Sequence, residues 1–397
     1  MMSYPHHLIG QSARVCGLLA MATMAVGMLG GMADDDAVTR NAARVNELEQ
    51  AMPVGPRSAT SLGLRVAWRQ PIDTASITDL FISEGAVFVV DSDNEVSMID
   101  LESGERQWIG FGAGGNEIIV DVVHLPEEEK VLVVRTHSIL TLSANTGIPV
   151  VHGATNSSMQ PLQWLAATPG VLYGGSYIYG GLAGELVWQG WNMGFSTRAH
   201  RIGRRVAAAP TLAGSVVLAA SRAGSLAAID ANTGTLLWQR KLLDSISGVP
   251  ATSNTMALVA SRDQHLRAFD AGTGKLKWAK LFDQPLTSGP VLQGHAVYQQ
   301  VPGTGLVRFE AAPRNAPHGI EVWTAPDVHG DVIGTTGDLL LVWTPDTKQL
   351  QSVSASTGSV DALVDTNDVS LMESRDNALL LIGGNGELEC LRPALGQ

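Results

Sequence analysis

The side chains that most often perform chemistry in proteins are scattered along this sequence. None of its 10 histidines belongs to an HExxH or another metal-ligand spacing. The only cysteines, Cys16 and Cys390, form no CxxC or CxxCH pair, and no G-x-S-x-G nucleophile motif occurs. The residue types therefore predict no catalytic centre, no metal site and no bound cofactor, and we do not expect the chain to be an enzyme.

Three arginines form the one recurrent charged feature. Arg222 and Arg262 each follow a serine at matching positions of two repeats, and Arg135 lies near the same place in an earlier repeat. If the repeats are blades of one ring, the three guanidinium groups come from turns on one face. There they could bind acidic or backbone oxygens of a protein partner. The alternative is that they are solvated side chains of exposed turns.

The overall charge excludes one class of partner. With 26 Lys and Arg against 38 Asp and Glu, the net charge is −12. Nucleic-acid binding needs the opposite, a basic surface that neutralises phosphates. The 43 glycines, many of them in short turn clusters, favour an all-β chain with many tight turns.

Residues 1–33 are interpreted as an export leader. Arg14 precedes a run without charged residues, Val15 to Met32, and acidic residues follow it. The small residues Gly31 and Ala33 suit a signal-peptide cleavage site. The run also reaches the lower length limit of a membrane span, so an uncleaved anchor is the alternative. We expect a periplasmic or otherwise extracytoplasmic protein that meets a membrane only through this leader or a partner.

Residues 34–61 follow as a helical, proline-containing linker. An apolar stripe at helical spacing runs over Asp34–Gln50, and Pro53 and Pro56 are expected to end the helix. The segment is either a spacer or contact helix, or a frayed linker.

From residue 62 to residue 397 the chain repeats itself with a period near 40. Ala228–Trp238 and Ala268–Trp278 lie 40 residues apart, and both fit A-x-D-x-x-T-G-x-x-x-W. Met98–Trp108 is a third copy, in which Ser103 replaces the threonine. A period near 40 with turn residues inside it is typical of β-propeller blades.

Each part of the repeated motif has a structural interpretation. The aspartate can accept backbone N–H groups across a tight turn, and the glycine supplies a positive φ. The tryptophan lies on the next strand, where its indole can pack between neighbouring blades while its N–H meets a carbonyl. We therefore predict a blade-docking role for Trp68, Asp100, Trp108, Trp188, Asp230, Gly234, Trp238, Asp270, Gly274, Trp278 and Trp323.

Weaker copies complete the ring. Gly184 precedes Trp188 at the motif spacing and is taken as the turn of one copy, and Trp323 ends a copy that an insertion splits. The C-terminal copy has only three strands, and the segment around Trp68 is expected to supply the fourth. The predicted fold is all-β: an eight-bladed β-propeller of four-stranded antiparallel blades, a monomeric ring in which an N-terminal strand closes the last blade. Seven blades is the alternative.

The motif resembles the tryptophan-docking motif of the quinoprotein (PQQ-type) propeller family. That family includes dehydrogenases that use PQQ and calcium, so a quinoprotein dehydrogenase is one alternative function, and a ligand- or carbohydrate-binding sensor propeller is another. Alcohol-oxidising members often carry a vicinal disulfide, which Cys16 and Cys390 cannot form.

Within this family the chain resembles the BamB-like proteins over roughly residues 62–393. The resemblance implies a noncatalytic cell-envelope scaffold whose propeller loops bind a protein partner, such as an outer-membrane assembly component. BamB-like proteins are usually lipoproteins, whereas Cys16 stands near the start of the apolar run and forms no lipobox.

Overall fold

The strands of this protein form eight separate four-stranded antiparallel sheets. The computed structural model describes residues 39–72, 77–114, 117–151 and 156–394. In each sheet the strands follow one another as a meander, except in the last, which takes its fourth strand from the N-terminal side. The eight-bladed β-propeller predicted from the repeats is confirmed.

The bounds of the elements follow the chain. Residues 39–51 form helix α1, and α2 spans Pro56–Ser61. Strand β1 is Leu64–Pro71. Blade 1 contains β2 (Ile77–Ser83), β3 (Ala86–Asp91), β4 (Glu95–Asp100) and β5 (Arg106–Phe111). Blade 2 contains β6 (Ile119–Leu125), β7 (Lys130–Arg135), β8 (Ser138–Ser143) and β9 (Met159–Pro161), with a 3₁₀ turn at Pro126–Glu128.

Blades 3 to 5 repeat this order. Blade 3 contains β10 (Ala166–Tyr173), β11 (Ser176–Gly181), β12 (Glu185–Gly190) and β13 (Phe195–Arg201). Blade 4 contains β14 (Thr211–Ala213), β15 (Val216–Ala220), β16 (Ser225–Asp230) and β17 (Leu236–Lys241). Blade 5 contains β18 (Ile246–Ser253), β19 (Met256–Ser261), β20 (His265–Asp270) and β21 (Leu276–Leu281).

Blades 6 to 8 complete the ring. Blade 6 contains β22 (Val291–Gln293), β23 (Ala296–Val301), β24 (Gly305–Glu310) and β25 (Glu321–Ala325). Blade 7 contains β26 (Asp331–Thr336), β27 (Leu339–Thr344), β28 (Gln349–Ser354) and β29 (Val360–Asp365). Blade 8 contains β30 (Val369–Arg375), β31 (Ala378–Gly383), β32 (Glu387–Pro393) and the N-terminal strand β1.

Burial explains the sequence pattern of the strands. The second strand of a blade, such as β3, is buried along its whole length. It is covered on both faces by neighbouring blades, which is why it reads as a continuous apolar run rather than an alternating one. The fourth strand is exposed: in β17 only Trp238 is buried.

Strand β1 closes the ring by pairing with β32. Leu64 lies opposite Pro393 and Trp68 opposite Cys390 in an antiparallel register. The closing role predicted for the Trp68 segment is confirmed. Joining the two ends of the chain in one sheet couples the first and last parts of the propeller.

The meander gives the ring two distinct ends. The turns between the first and second strands, and between the third and fourth, lie at one end, which we call the motif end. The turns between the second and third strands, and the links between blades, lie at the other, which we call the connection end. First strands of neighbouring blades contact one another, as β2 does with β6 and β30, so the first strands surround the axis.

The chain divides into two units, Met1–Leu48 and Glu49–Gln397. Of the first, residues 39–48 are described and are helical, whereas the leader predicted at 1–33 lies outside the described residues. We expected Pro56 to end a helix, but it begins α2. That position suits proline because an N–H there has no partner within the helix. No described helix is both long enough and apolar enough to cross a membrane.

Residues 52–54 pack against blade 8 at the connection end. Asn367 donates its side-chain amide to the Met52 carbonyl at 2.8 Å, and its backbone N–H to the Pro53 carbonyl at 2.9 Å. Val54 donates its N–H to Glu389 Oε2 at 2.9 Å. Burial raises the pKa of Glu389 to about 8. A buried carboxyl group therefore holds this segment in place.

Candidate partner-binding surface

Arg222 and Arg262 lie at the same position of two neighbouring blades. Each follows a fully buried serine, Ser221 or Ser261, and each is exposed at the turn between the second and third strands. Both turns belong to the connection end. The structure thus places these two predicted arginines side by side on adjacent blades, with their side chains toward solvent.

Arg135 does not belong with them, and grouping it with Arg222 and Arg262 was wrong. It is the last residue of β7 and is 3% exposed. Its guanidinium pairs with the carboxylate of Glu117. The turn after β7 is one residue shorter than those of blades 4 and 5, so Arg135 occupies the place of the buried Ser221 rather than of Arg222. A buried, paired arginine supports its own blade and cannot reach a partner.

Backbone hydrogen bonds join the turns of the connection end into one surface. The N–H of Arg222 donates to the carbonyl of Arg205 at 3.0 Å, and that of Arg262 to Ser245 at 2.9 Å. Leu242 donates to the Gly224 carbonyl at 2.8 Å. Each turn is therefore fixed to the link that precedes or follows its blade, and the arginines project from an ordered base.

A leucine stands between the two arginine turns. Leu243 lies in the link from blade 4 to blade 5 and is 89% exposed, while its N–H donates to Asp263 Oδ2 at 3.2 Å. Leu165 and Leu182 are also exposed, in neighbouring turns joined by a 2.9 Å bond from the Leu182 N–H to the Leu165 carbonyl. The connection end therefore exposes several leucine side chains on turns whose backbone is fixed by hydrogen bonds.

Further charge surrounds this leucine. Arg204 and Arg205 are exposed in the link from blade 3 to blade 4. Burial alone would raise the pKa of Asp263, but its 2.8 Å bond to Arg267 and the Arg267 charge lower it. We call the group of Arg204, Arg205, Arg222, Leu243 and Arg262 the loop surface.

Sequence analysis did not identify Leu243 as a surface residue, although the sequence around it carries an indication. The stretch Gln239-Arg-Lys-Leu-Leu-Asp244 places two leucines after a charged outer strand. Only Leu242 is buried, so a pair of leucines at the end of an outer strand leaves one available for the surface.

The motif residues lie at the opposite end of the strands. Asp230 Oδ1 accepts the N–H groups of Asn232 and Thr233 at 3.1 and 2.7 Å, and Gly234 has φ +67°. Asp100 and Asp270 hold their turns in the same way. Hydrogen bonds from Ser103, Thr233 and Thr273 lower the pKa of Asp100, Asp230 and Asp270 respectively.

Each motif tryptophan bonds to the next blade. The indole N–H donates to the carbonyl of the residue that follows the third strand there, at 2.7 to 3.1 Å, and the indole lies against the turn glycine. The donor and acceptor pairs are Trp68 and Leu101, Trp108 and Ala144, Trp238 and Ala271, Trp278 and Ala311, and Trp323 and Ala355. The energetic docking role of these side chains stays a prediction, which unfolding measurements on variants test.

Trp188 reaches the next blade from a different strand. It lies on β12, the third strand of blade 3, and donates to the Ala231 carbonyl at 3.0 Å. Taking Gly184 as the turn before a fourth strand was wrong, because it precedes β12. Arg198 on β13 stands opposite Trp188 and fills the place against Gly234 that a tryptophan fills elsewhere.

Among the residues that the structure describes, no group of three or more His, Cys, Asp and Glu side chains is placed to hold a metal ion. At the connection end, the described residues form a surface of exposed arginines and leucines, and backbone hydrogen bonds hold the turns that carry them.

Comparisons with known proteins agree with this architecture. A family model described as "Outer membrane protein assembly factor BamB" matches residues 64–158 and 178–311, more than half of the chain. No curated protein matches this chain. The crystal structure of BamB from Moraxella catarrhalis is similar, with TM-score 0.63 and 18% identity, over 84% of this chain and 99% of that one.

The computationally designed Ika8 protein is also similar, with TM-score 0.62 and 14% identity, over 81% of this chain and 98% of the other. At these identities the two structures show the fold alone.

Proposed function

This chain belongs to the family of the outer membrane protein assembly factor BamB, and we propose that it is a noncatalytic scaffold of the cell envelope. It binds a protein partner, an outer-membrane assembly component, through the loops of its propeller. The proposal includes an extracytoplasmic location, reached through the leader whether that leader is cleaved or kept as an anchor.

The loop surface supports this proposal more than any other feature. Leu243 offers an aliphatic anchor, and Arg222 and Arg262 flank it on adjacent blades. Protein interfaces have an apolar core inside a polar rim, and arginine is enriched there because it forms directed bonds to carboxylates and carbonyls. The partner segment should therefore carry aliphatic side chains beside acidic ones.

The electrostatics favour a local match rather than a general attraction. The whole chain has a net charge of −12, so an acidic partner is repelled overall, and the arginines of the loop surface offset that repulsion locally. This arrangement orients the partner onto the loop surface, because complementary patches guide encounter and unlike orientations are disfavoured.

The test is to change the loop surface and measure partner binding. We expect Arg222→Glu, Arg262→Glu and Leu243→Asp each to weaken binding of an outer-membrane assembly component about tenfold or more, since central arginines and apolar anchors contribute at that level. Capture from detergent-solubilised envelopes identifies the component, and titration of the purified pair gives Kd.

Arg314→Glu is the matched control. Arg314 is exposed in the turn between the third and fourth strands of blade 6, at the motif end, so the same charge reversal there should leave Kd unchanged. Equal losses from Arg314→Glu and Arg262→Glu would point to net charge rather than to the loop surface. Failure to capture any such component would remove the assembly role.

The noncatalytic part has its own test. The purified protein supplied with PQQ and calcium should reduce no dye in the presence of alcohols or sugars. Dye reduction that depends on both additions would establish the quinoprotein alternative instead.

A further inference from the structure

A cavity of about 510 Å³ lies among the first strands of five blades. Strands β30, β2, β6, β10 and β14 contribute to its wall. Most of this wall is aliphatic, with Leu80, Val122, Leu172 and Leu212 among its side chains. The volume falls in the range of about 300–1,000 Å³ that is typical of small-molecule sites.

Two opposite charges enter this cavity from one strand. Glu373 and Arg375 both line it, and they are two residues apart on β30, so their side chains leave the strand on the same side. Arg375 Nη1 donates to the Ile82 carbonyl at 3.0 Å, which fixes the guanidinium against blade 1.

Glu373 and Arg375 do not form a direct ion pair with each other. Within the described part of the chain, no ion pair of 4.0 Å or less joins Glu373 to Arg375, and the Glu373 carboxylate accepts no hydrogen bond. Both side chains are exposed to solvent, and partial burial of the Glu373 carboxyl group in the cavity raises its pKa. An acid and a base that are both accessible from one cavity can each bind a ligand group of opposite charge.

The third charged group of the cavity is already satisfied. Asp121 Oδ2 accepts the Tyr177 hydroxyl at 2.7 Å and the Gly170 N–H at 3.1 Å. Both side chains are buried. Asp121 therefore ties blade 2 to blade 3 and belongs to the wall. A fourth charged residue, Glu84, lines the cavity from the turn after β2, whereas Glu373 and Arg375 are the acid and the base that one strand brings together.

We propose that this cavity binds a small aliphatic zwitterion, a free amino acid or dipeptide. Glu373 accepts hydrogen bonds from its ammonium group, Arg375 donates to its carboxylate, and its side chain lies against Leu80, Leu172 and Leu212. A peptide terminus belonging to a larger protein would present only one of the two charges, so the requirement for both distinguishes the free ligand from a chain end.

This site is separate from the loop surface. Glu373 and Arg375 are at the end of β30 that leads to the motif end, whereas Arg222 and Arg262 are at the connection end. The two proposals can therefore succeed or fail independently, and the cavity would give the scaffold a small-molecule ligand as well as a protein partner.

The test uses titration calorimetry of the full chain with four probes: leucine, dileucine, N-acetyl-leucine and leucinamide. Leucine or dileucine should bind saturably. Removing the ammonium charge by acetylation, or the carboxylate by amidation, should weaken binding about tenfold or more, since a hydrogen bond between charged groups contributes at that level.

Variants then assign each end of the ligand. Glu373→Gln should lose the preference for leucine over N-acetyl-leucine, and Arg375→Gln the preference for leucine over leucinamide. Arg65→Gln and Glu105→Gln, at exposed positions of β1 and of a motif-end turn, are the controls and should bind like the wild type. Thermal unfolding checks that each variant folds, and Arg375→Lys, which keeps the charge, should retain the carboxylate preference.

Three results would overturn the proposal. One is the absence of saturable binding with all four probes. The second is equal affinity for the free and the blocked ligands. The third is a folded Glu373→Gln protein that keeps the wild-type selectivity.

Discussion

Gly274 allows a quantitative test of how the motif joins two blades. Its φ is +65°, and a Cβ built there would lie 2.5 Å from Cδ2 of Trp238. Gly303 also has a positive φ, +74°, but a Cβ there would meet nothing within 4 Å. Replacing each glycine by alanine therefore separates the cost of the backbone conformation from the cost of crowding the indole.

The expected magnitudes follow from these two contributions. A left-handed backbone costs an ordinary L-residue roughly 1–2 kcal/mol, which should be the whole effect of Gly303→Ala. Gly274→Ala adds an overpacking cost of about 1–3 kcal/mol, because the clash is with a rigid indole rather than with a flexible chain end. In a Trp238→Ala background the extra cost should disappear, although Trp238→Ala itself destabilises by about 3–5 kcal/mol.

Denaturant unfolding of the four single and double variants and the wild type measures these differences, with the m-value checked for constancy. The coupling between positions 238 and 274 should be about 1–3 kcal/mol. If Gly274→Ala and Gly303→Ala cost the same, or if the Gly274→Ala cost is unchanged without the indole, the tryptophan does not impose glycine at this turn and the reasoning fails.

Three further predictions concern single buried groups. Burial raises the pKa of Glu389 from 4.5 to about 8, so the folded protein keeps a proton that the unfolded chain releases. Stability should then fall as pH rises through this interval, and Glu389→Gln should flatten that part of the thermal-unfolding profile; an unchanged slope would assign the pH dependence elsewhere. Trp188→Phe removes the indole N–H that donates to the Ala231 carbonyl at 3.0 Å. The free energy of unfolding should fall by about 1–3 kcal/mol in the denaturant assay, and wild-type stability would contradict this. Burial also raises the pKa of the Cys390 thiol to about 11, so a thiol reagent should modify the Cys16→Ser protein only after unfolding, and rapid labelling of the native protein would contradict this.

The blade count and the closure of the ring could be predicted from the sequence because the signal is local and repeated. The Asp–Gly–Trp spacing fixes a turn and the strand that follows it, as at Asp230, Gly234 and Trp238. A missing fourth strand at one end of the chain and a spare one at the other leave a single way to pair them, and β1 pairs with β32.

The same local signal failed where two different kinds of turn have the same Gly-x-x-x-Trp spacing. Gly184 and Trp188 have the motif spacing, yet they belong to the turn before a third strand. Only the strand that follows, which carries Arg198 against Gly234, shows the difference, and nothing in its composition marks it as the docking strand. Arg135 was misplaced for a related reason: the turn after β7 is one residue shorter, so Arg135 is still the last residue of its strand, whereas Arg222 is the first residue of its turn.

The loop surface could be predicted only in part because exposure is a property of the assembled ring. Arg222 and Arg262 stand out because they repeat, whereas Leu243 occurs once and looks like an ordinary core leucine in the sequence. Its exposure follows from the Leu242 N–H bond to Gly224 and the Leu243 N–H bond to Asp263, which turn one leucine inward and the next outward.

The motif contacts between blades and the proposed partner contact use opposite ends of the same strands. At the motif end, the tryptophans, aspartates and glycines depend on one another through side chains, so changing one disturbs its neighbours. At the connection end, Arg222 and Arg262 hold their turns through backbone N–H groups, which any residue except proline supplies. Their side chains are therefore free of the folding requirement. Substitutions there can alter partner choice at little cost in stability, which is the property that a propeller needs if one frame is to carry different recognition surfaces.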